Sequence, residues 1–311
     1  MSVREEQRDL LALCAIPNVN WSLLAREAQR PGGLARLWRA EVTEKTDQAR
    51  TASELLAVAL ANPRNLTRRV DDEVRQLPGG VRLCTVLDDE YPSNLRLIAN
   101  LPPFLFYLGE LRGSDAFSVA VVGTRTPSAL GVQEADRLSR ELAGRDVTVL
   151  SGLALGIDTA AHRGTLAARG RTIAVVGTGI RTCYPKENAG LASDIVSSGG
   201  AVVSQFWPSA PPTKSSFPMR NVVSSGMSQG TVVIEATGMS GARNQARRAL
   251  EQGKKAFLLR DRVTSQQWAR RYLERGAIEV STVDEILPLL RAPEVIEHLS
   301  DRRRQLALEL A

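Results

Sequence analysis

From residue 116 to 290 the chain alternates short apolar strands with amphipathic helices, a rhythm that fits a largely parallel sheet covered on both faces. Strands are expected at 117–122, 148–150, 172–176, 201–204, 231–234 and 256–259. Helices are expected between and after them, at 132–143, 159–169, 191–198, 243–252 and 266–275. The class is therefore α/β, a Rossmann-like doubly wound fold with a mostly parallel sheet. Ligands of such sheets bind beyond the carboxyl ends of the strands, where Gly123, Ser151, Gly177 and Glu235 all fall.

Residues 1–80 read as a small helical module. Leu10, Leu11, Leu13, Cys14 and Ile16 form one apolar face, and Trp21, Leu23 and Leu24 begin another. SAM-like and helix-hairpin-helix modules share this build, but the Gly-x-Gly turn that holds a phosphate is missing, so packing onto the next domain is the expected role. Pro78-Gly79-Gly80 ends the pattern and opens the main domain, 81–290, after which 291–311 form a short charged helix. No apolar run approaches the ~20 residues that cross a bilayer, and the first residues lack the apolar stretch of a signal peptide, so a soluble cytoplasmic protein is expected. Cys14, Cys84 and Cys183 are odd in number and far apart, which argues against a disulfide framework and against zinc. A net charge of +6 suits an anionic partner without demanding one.

Three small-residue turns fall at strand ends: Gly123-Thr124-Arg125, the stretch from Ser151-Gly152 to Gly156-Ile157-Asp158, and Gly177-Thr178-Gly179. The first does not continue into Gly-x-Gly-x-x-Gly, and no acidic ribose ligand follows, so no nicotinamide or flavin cofactor is expected. The second, with two glycines and a serine hydroxyl, is expected to present several donors to a phosphate. Lys214 to Asn221 adds a cation, the Phe217 ring and Arg220-Asn221. Pro211, Pro212 and Pro218 are expected to hold this segment extended, with Lys214 reaching a phosphate and Phe217 a base. These residues alone leave a buried Phe217 beside a solvated Lys214 equally open. Asp158 and His162 share a helical face, where a structural role outweighs acid-base work, and Glu235 lacks the second carboxylate or metal that catalysis would need. Arg243, Arg247, Arg248, Lys254 and Lys255 are expected to form a solvated basic face. No catalytic residue and no metal ligand is nominated.

Together these motifs resemble the DNA-processing protein A family (DprA, also called Smf). The resemblance is carried by Val121 to Ser128 with Gly131, Ser151 to Ala154 with Gly156-Ile157-Asp158 and Ala161-His162, Tyr184-Pro185 with Asn188 and Leu191, and Phe217 to Asn221. It implies a homodimeric, non-enzymatic protein that binds and protects single-stranded DNA and helps load a RecA-type recombinase during DNA uptake. By motif position it makes Arg125, Lys214 and Phe217 the DNA contacts, with Gly123, Thr124, Ser151 and Gly152 shaping the groove. Departures are visible: Val222-Val223-Ser224-Ser225-Gly226 follows Arg220-Asn221 in place of a second arginine and Ile-Ile-Ala-Gly, and Gln205 replaces a common glutamate. Arg260-Asp261-Arg262-Val263 replaces Pro-Gly, and too few residues follow Leu290 for the winged helix of many relatives. These departures keep a second reading, a sensor or neutralising partner of an effector in an anti-phage or toxin-antitoxin cassette. A lysine-decarboxylase-like enzyme would need Pro-Gly-Gly-x-Gly-Thr in the sheet domain, and the Pro-Gly-Gly segments at Pro31 and Pro78 lie outside it.

Overall fold

The computed structural model describes residues 3–309 apart from Met239. Five helices come first: α1 Glu5–Cys14, α2 Trp21–Ala28, α3 Gly33–Leu37, α4 Asp47–Leu60 and α5 Arg64–Arg75. Nine strands follow, β1 Arg82–Thr85, β2 Phe104–Gly109, β3 Ser118–Val122, β4 Thr148–Ser151, β5 Thr172–Val175, β6 Ala201–Ser204, β7 Gly230–Val233, β8 Lys255–Leu259 and β9 Ile278–Val280. Among them lie α6 Ser93–Arg96, α7 Ala129–Ala143, α8 Ile157–Ala167, α9 Ala189–Ser197, α10 Ser216–Met227, α11 Gly241–Glu251 and α12 Gln267–Leu273, and α13 Pro293–Glu309 closes the fold.

The strands form one sheet in the order β1-β2-β6-β5-β4-β3-β7-β8-β9. Only the β1–β2 and β2–β6 pairings are antiparallel; the others are parallel, with Val119 opposite Val149 on one side and Gly230 on the other. Every residue of β3 to β7 is buried, which is why those strands read as short apolar runs interrupted only by glycine, serine or threonine. The Rossmann-like doubly wound arrangement expected from the sequence is what the chain adopts. β3 is the switch point, because the chain first lays β4, β5 and β6 to one side of it and then returns through α10 to lay β7, β8 and β9 on the other.

The N-terminal helices share a core with the antiparallel end of the sheet. Leu10, Leu11, Leu13, Leu24, Leu37 and Leu56 are fully buried in one cluster with Leu83, Phe104, Phe106 and Trp207. Each such leucine is worth roughly 2 kcal/mol in apolar burial. Phe104 bridges the two parts, its ring centroid 5.0 Å from Trp21 and 5.4 Å from Trp207. α13 is docked rather than solvated all round: Ile296 and Ser300 are buried, and Arg304 reaches Asp89 at 2.7 Å. Cys14 and Cys84 are buried and Cys183 is half-buried. Among the described residues no helix is long and apolar enough to cross a membrane.

Candidate nucleic-acid interface

At the switch point, the loops leaving β3 and β7 diverge and leave a crevice of about 260 Å³. Gly123, Thr124, Arg125, Phe217, Arg220 and Asn221 line it, together with Asp158, Thr237, Gln245 and the Ser240-Gly241-Ala242 start of α11. Six of the nine nominated residues therefore meet in one place. The exposed Arg125 guanidinium lies 5.1 Å above the Phe217 ring, and Tyr184, 42% exposed, places its ring centroid 5.9 Å from that of Phe217. Lys214 is exposed just ahead of α10 and makes no ion pair among the described residues.

The segment expected to be extended is helical. Phe217, Arg220 and Asn221 lie in α10 and, at i, i+3 and i+4, share the face turned to the sheet rim. Pro218 is the third residue of that helix, where a missing N–H costs nothing, so the proline run precedes and starts the helix instead of preventing it. Just ahead of it the Thr213 hydroxyl accepts from the Ser216 amide at 3.0 Å.

The second turn is not the phosphate cradle its composition suggested. Ser151 is buried and its hydroxyl donates to the Val121 carbonyl at 2.6 Å. The Gly152 and Ala154 amides donate to Asp158 Oδ2, at 3.0 and 3.4 Å, so their capacity is used inside the protein. What this turn does is support the first one. Gly156, at φ +82°, lies so close beneath Thr124 and Arg125 that a side chain would overlap their backbone, and the Ile157 amide donates to the Thr124 carbonyl at 3.2 Å. Ser151 and Gly152 thus shape the crevice from below.

Arg220 and Asn221 are also inward. Asn221 Nδ2 donates to the Gly241 carbonyl at 3.1 Å, tying α10 to α11. Arg220 is 7% exposed and forms the crevice floor, with Nη1 donating to the Val175 carbonyl at 2.8 Å and Nε unpartnered. Burial lowers its pKa, Asp158 raises it and Arg125 lowers it again. Two guanidiniums thus repel across a crevice that a phosphate between them would stabilise. Burial pushes the Asp158 carboxyl up, against the pull of Arg220 and the two amides.

His162 is structural, as expected. Thr172 Oγ1 donates to the Val149 carbonyl at 2.7 Å, so it accepts the Nδ1 proton of His162, also at 2.7 Å, and Nε2 has no partner. Burial, reinforced by the Arg220 charge, pushes its pKa down to about 3 and keeps the ring neutral. Glu235 is engaged too: it accepts from the Ser128 amide at 3.2 Å and hydroxyl at 2.8 Å, anchoring the start of α7. The basic run after α11's start is not a solvated face throughout, since Lys254 is half-buried and donates to three carbonyls.

Sequence reasoning did not nominate the N-terminus of α11 or Tyr184 as site elements. Ser240 caps α11 by accepting from the Arg243 amide at 3.2 Å, and the first turns of both α10 and α11 line the crevice, adding two positive helix ends. A serine three residues ahead of Arg243, beyond a strand end, was the available signal for the first. Tyr184 was visible only as a motif residue.

A family model for DNA recombination-mediator protein A matches residues 82–291. The chain belongs to that family. Protein Smf of Escherichia coli K12 is 40% identical over 203 residues, covering 65% of this chain and 54% of that protein. DNA processing protein DprA of Bacillus subtilis is 33% identical over 241 residues, covering 73% and 78% respectively. The chain thus spans little more than half of the E. coli relative. Among solved structures, DNA processing protein A from Streptococcus pneumoniae superposes with a TM-score of 0.73 at 27% identity, over 94% of this chain and 99% of that one. The Helicobacter pylori protein, whose structure is described as giving insight into a unique single-stranded DNA binding mode, superposes with a TM-score of 0.58 at 26% identity, over 67% and 95%.

Proposed function

We propose that the crevice between β3 and β7 holds single-stranded DNA. Arg125, Lys214 and the two helix starts meet its phosphates, while Phe217 and the neighbouring Tyr184 stack a base, extending or replacing the stack that Arg125 makes. The observation that carries this reading is the Arg125–Phe217 pair at 5.1 Å over a buried, carboxylate-poor floor containing Arg220. Cation and ring side by side is how a strand is held without reading its sequence. The family description and the single-strand binding described for the H. pylori protein support it.

On this reading the chain is a cytoplasmic, non-enzymatic recombination mediator, acting as a homodimer that protects the strand and helps load a RecA-type recombinase in DNA uptake. Residues 1–80 would be its helical module, 81–290 its DNA-holding domain and 291–311 its docked tail. Fluorescence anisotropy with a labelled oligonucleotide tests the site. Arg125→Ala combined with Lys214→Ala is expected to weaken binding by about 2 kcal/mol, roughly thirtyfold in Kd, and to flatten the salt dependence. Phe217→Ala is expected to weaken binding with the salt slope unchanged, because the ring neutralises no phosphate. Unchanged affinity in the double variant would place the strand elsewhere.

A further inference from the structure

Where α5 faces the loop after β5, a second cleft of about 280 Å³ is lined by Arg68 and Arg69 of the helix and Arg181 of the loop. The two carboxylates in its wall are already engaged. Asp72 pairs with Arg75, and Glu73 accepts from the amide of Ser209 at 3.2 Å and from its hydroxyl. The guanidiniums are not so matched. Arg181 Nη1 donates to the neutral Gln76 Oε1 at 2.8 Å, and Arg69 reaches the Ala15 carbonyl at 3.3 Å while lying 5.2 Å over the Trp207 ring. Among the described residues none of the three arginines makes an ion pair, and all three are exposed. Three cations without carboxylate partners around one concavity are what a phosphate requires.

One loop links this cleft to the first. The loop that carries Arg181 begins at Gly177, against which Phe217 packs, and continues to Tyr184, whose ring neighbours Phe217. Arg181 and Tyr184 are three positions apart, so their Cα atoms are at most ~11 Å apart. A strand stacked at Phe217 therefore needs only a few more nucleotides to reach the arginines.

We propose that Arg68, Arg69 and Arg181 form a second phosphate subsite for the same strand, which leaves the crevice over the 177–184 loop and crosses onto α5. This rests on the reading that the crevice holds single-stranded DNA. It gives the N-terminal helices a share of the interface in addition to their packing role, and it makes affinity depend on strand length.

The test compares thymidine oligonucleotides of two and twenty-five nucleotides on the full chain, by anisotropy across a salt series. Arg68→Gln with Arg181→Gln is the variant, leaving Arg69 on Trp207; both changed side chains are exposed. The 25-mer is expected to bind roughly tenfold more weakly, with a salt slope lower by about 1.4, at about 0.7 per single-strand phosphate. The dinucleotide, too short to span from Phe217 to the arginines, is expected to keep its affinity, whereas Arg125→Ala with Lys214→Ala weakens both. An unchanged 25-mer, or equal weakening of both lengths, overturns the subsite while the crevice stands. If the unsubstituted chain binds neither oligonucleotide, the crevice reading fails and the subsite with it.

Discussion

Gly152→Ala is expected to cost about 3 kcal/mol of stability and most of the DNA affinity, although residue 152 is buried and would touch no nucleotide. A methyl group there would overlap the Arg220 guanidinium. That side chain cannot yield in place, because its Nη1 is bonded to the Val175 carbonyl and the group is buried. Its one open direction is outward, into the crevice it lines. The move leaves the Val175 carbonyl without this donor, strips Asp158 of its compensating charge, and fills the space assigned to DNA with a flexible cation. Urea unfolding measures the first effect and anisotropy the second. A double-mutant cycle isolates the cause: Arg220→Met removes the obstructed group, so Gly152→Ala with Arg220→Met should be less destabilised than the sum of the single changes. Strict additivity would show that the guanidinium is not what the methyl meets.

That contact also shows where sequence reading stops. β3 to β7 were legible to within a residue or two because strands buried on both faces are dominated by apolar residues. β9, Ile278–Val280, was missed because three residues are too few to show a periodicity. The Gly-Thr-Arg turn and Phe217 were legible as chemistry, and the crevice unites them. The inward turn of Arg220 was not, since it depends on a glycine 68 positions earlier that only the topology brings beneath it. The phosphate donors expected of the second turn were misread for the same reason. Composition shows which groups can donate, but not that Asp158 and Val121 already accept from them. Three prolines pointed to an extended segment, yet a proline in a first turn is as compatible with a helix start, and the helix is what the chain forms.

The placement of α10, and so of Phe217, depends at its far end on Lys254. Its ammonium donates to the carbonyls of Gly226 at 2.7 Å, Ser228 at 2.8 Å and Asn94 at 3.1 Å. As the ammonium it uses all three protons, and as the neutral amine that prevails above pH 7 it keeps two; two of the acceptors are carbonyls that the end of α10 leaves without intrahelical partners. Lys254→Met keeps the length and apolar stem while removing every donor, and is expected to destabilise the fold by about 3 kcal/mol at pH 7, at roughly 1 kcal/mol per orphaned carbonyl. Burial pushes the Lys254 pKa down to about 7, below the ordinary lysine value of 10.5. Between those values the native chain holds fewer protons than the unfolded one. This group's contribution is therefore full above the unfolded pKa and declines as pH falls towards 7, at up to about 1.4 kcal/mol per pH unit. The methionine variant lacks that slope, so its deficit should be larger at pH 9 than at pH 7, read from urea melts at the two pH values. Affinity for DNA should fall as well, since a frayed end lets α10 shift Phe217 away from Arg125. A variant as stable as the parent at both pH values would mean that the three carbonyls find other donors and that α10 is held by its apolar face alone.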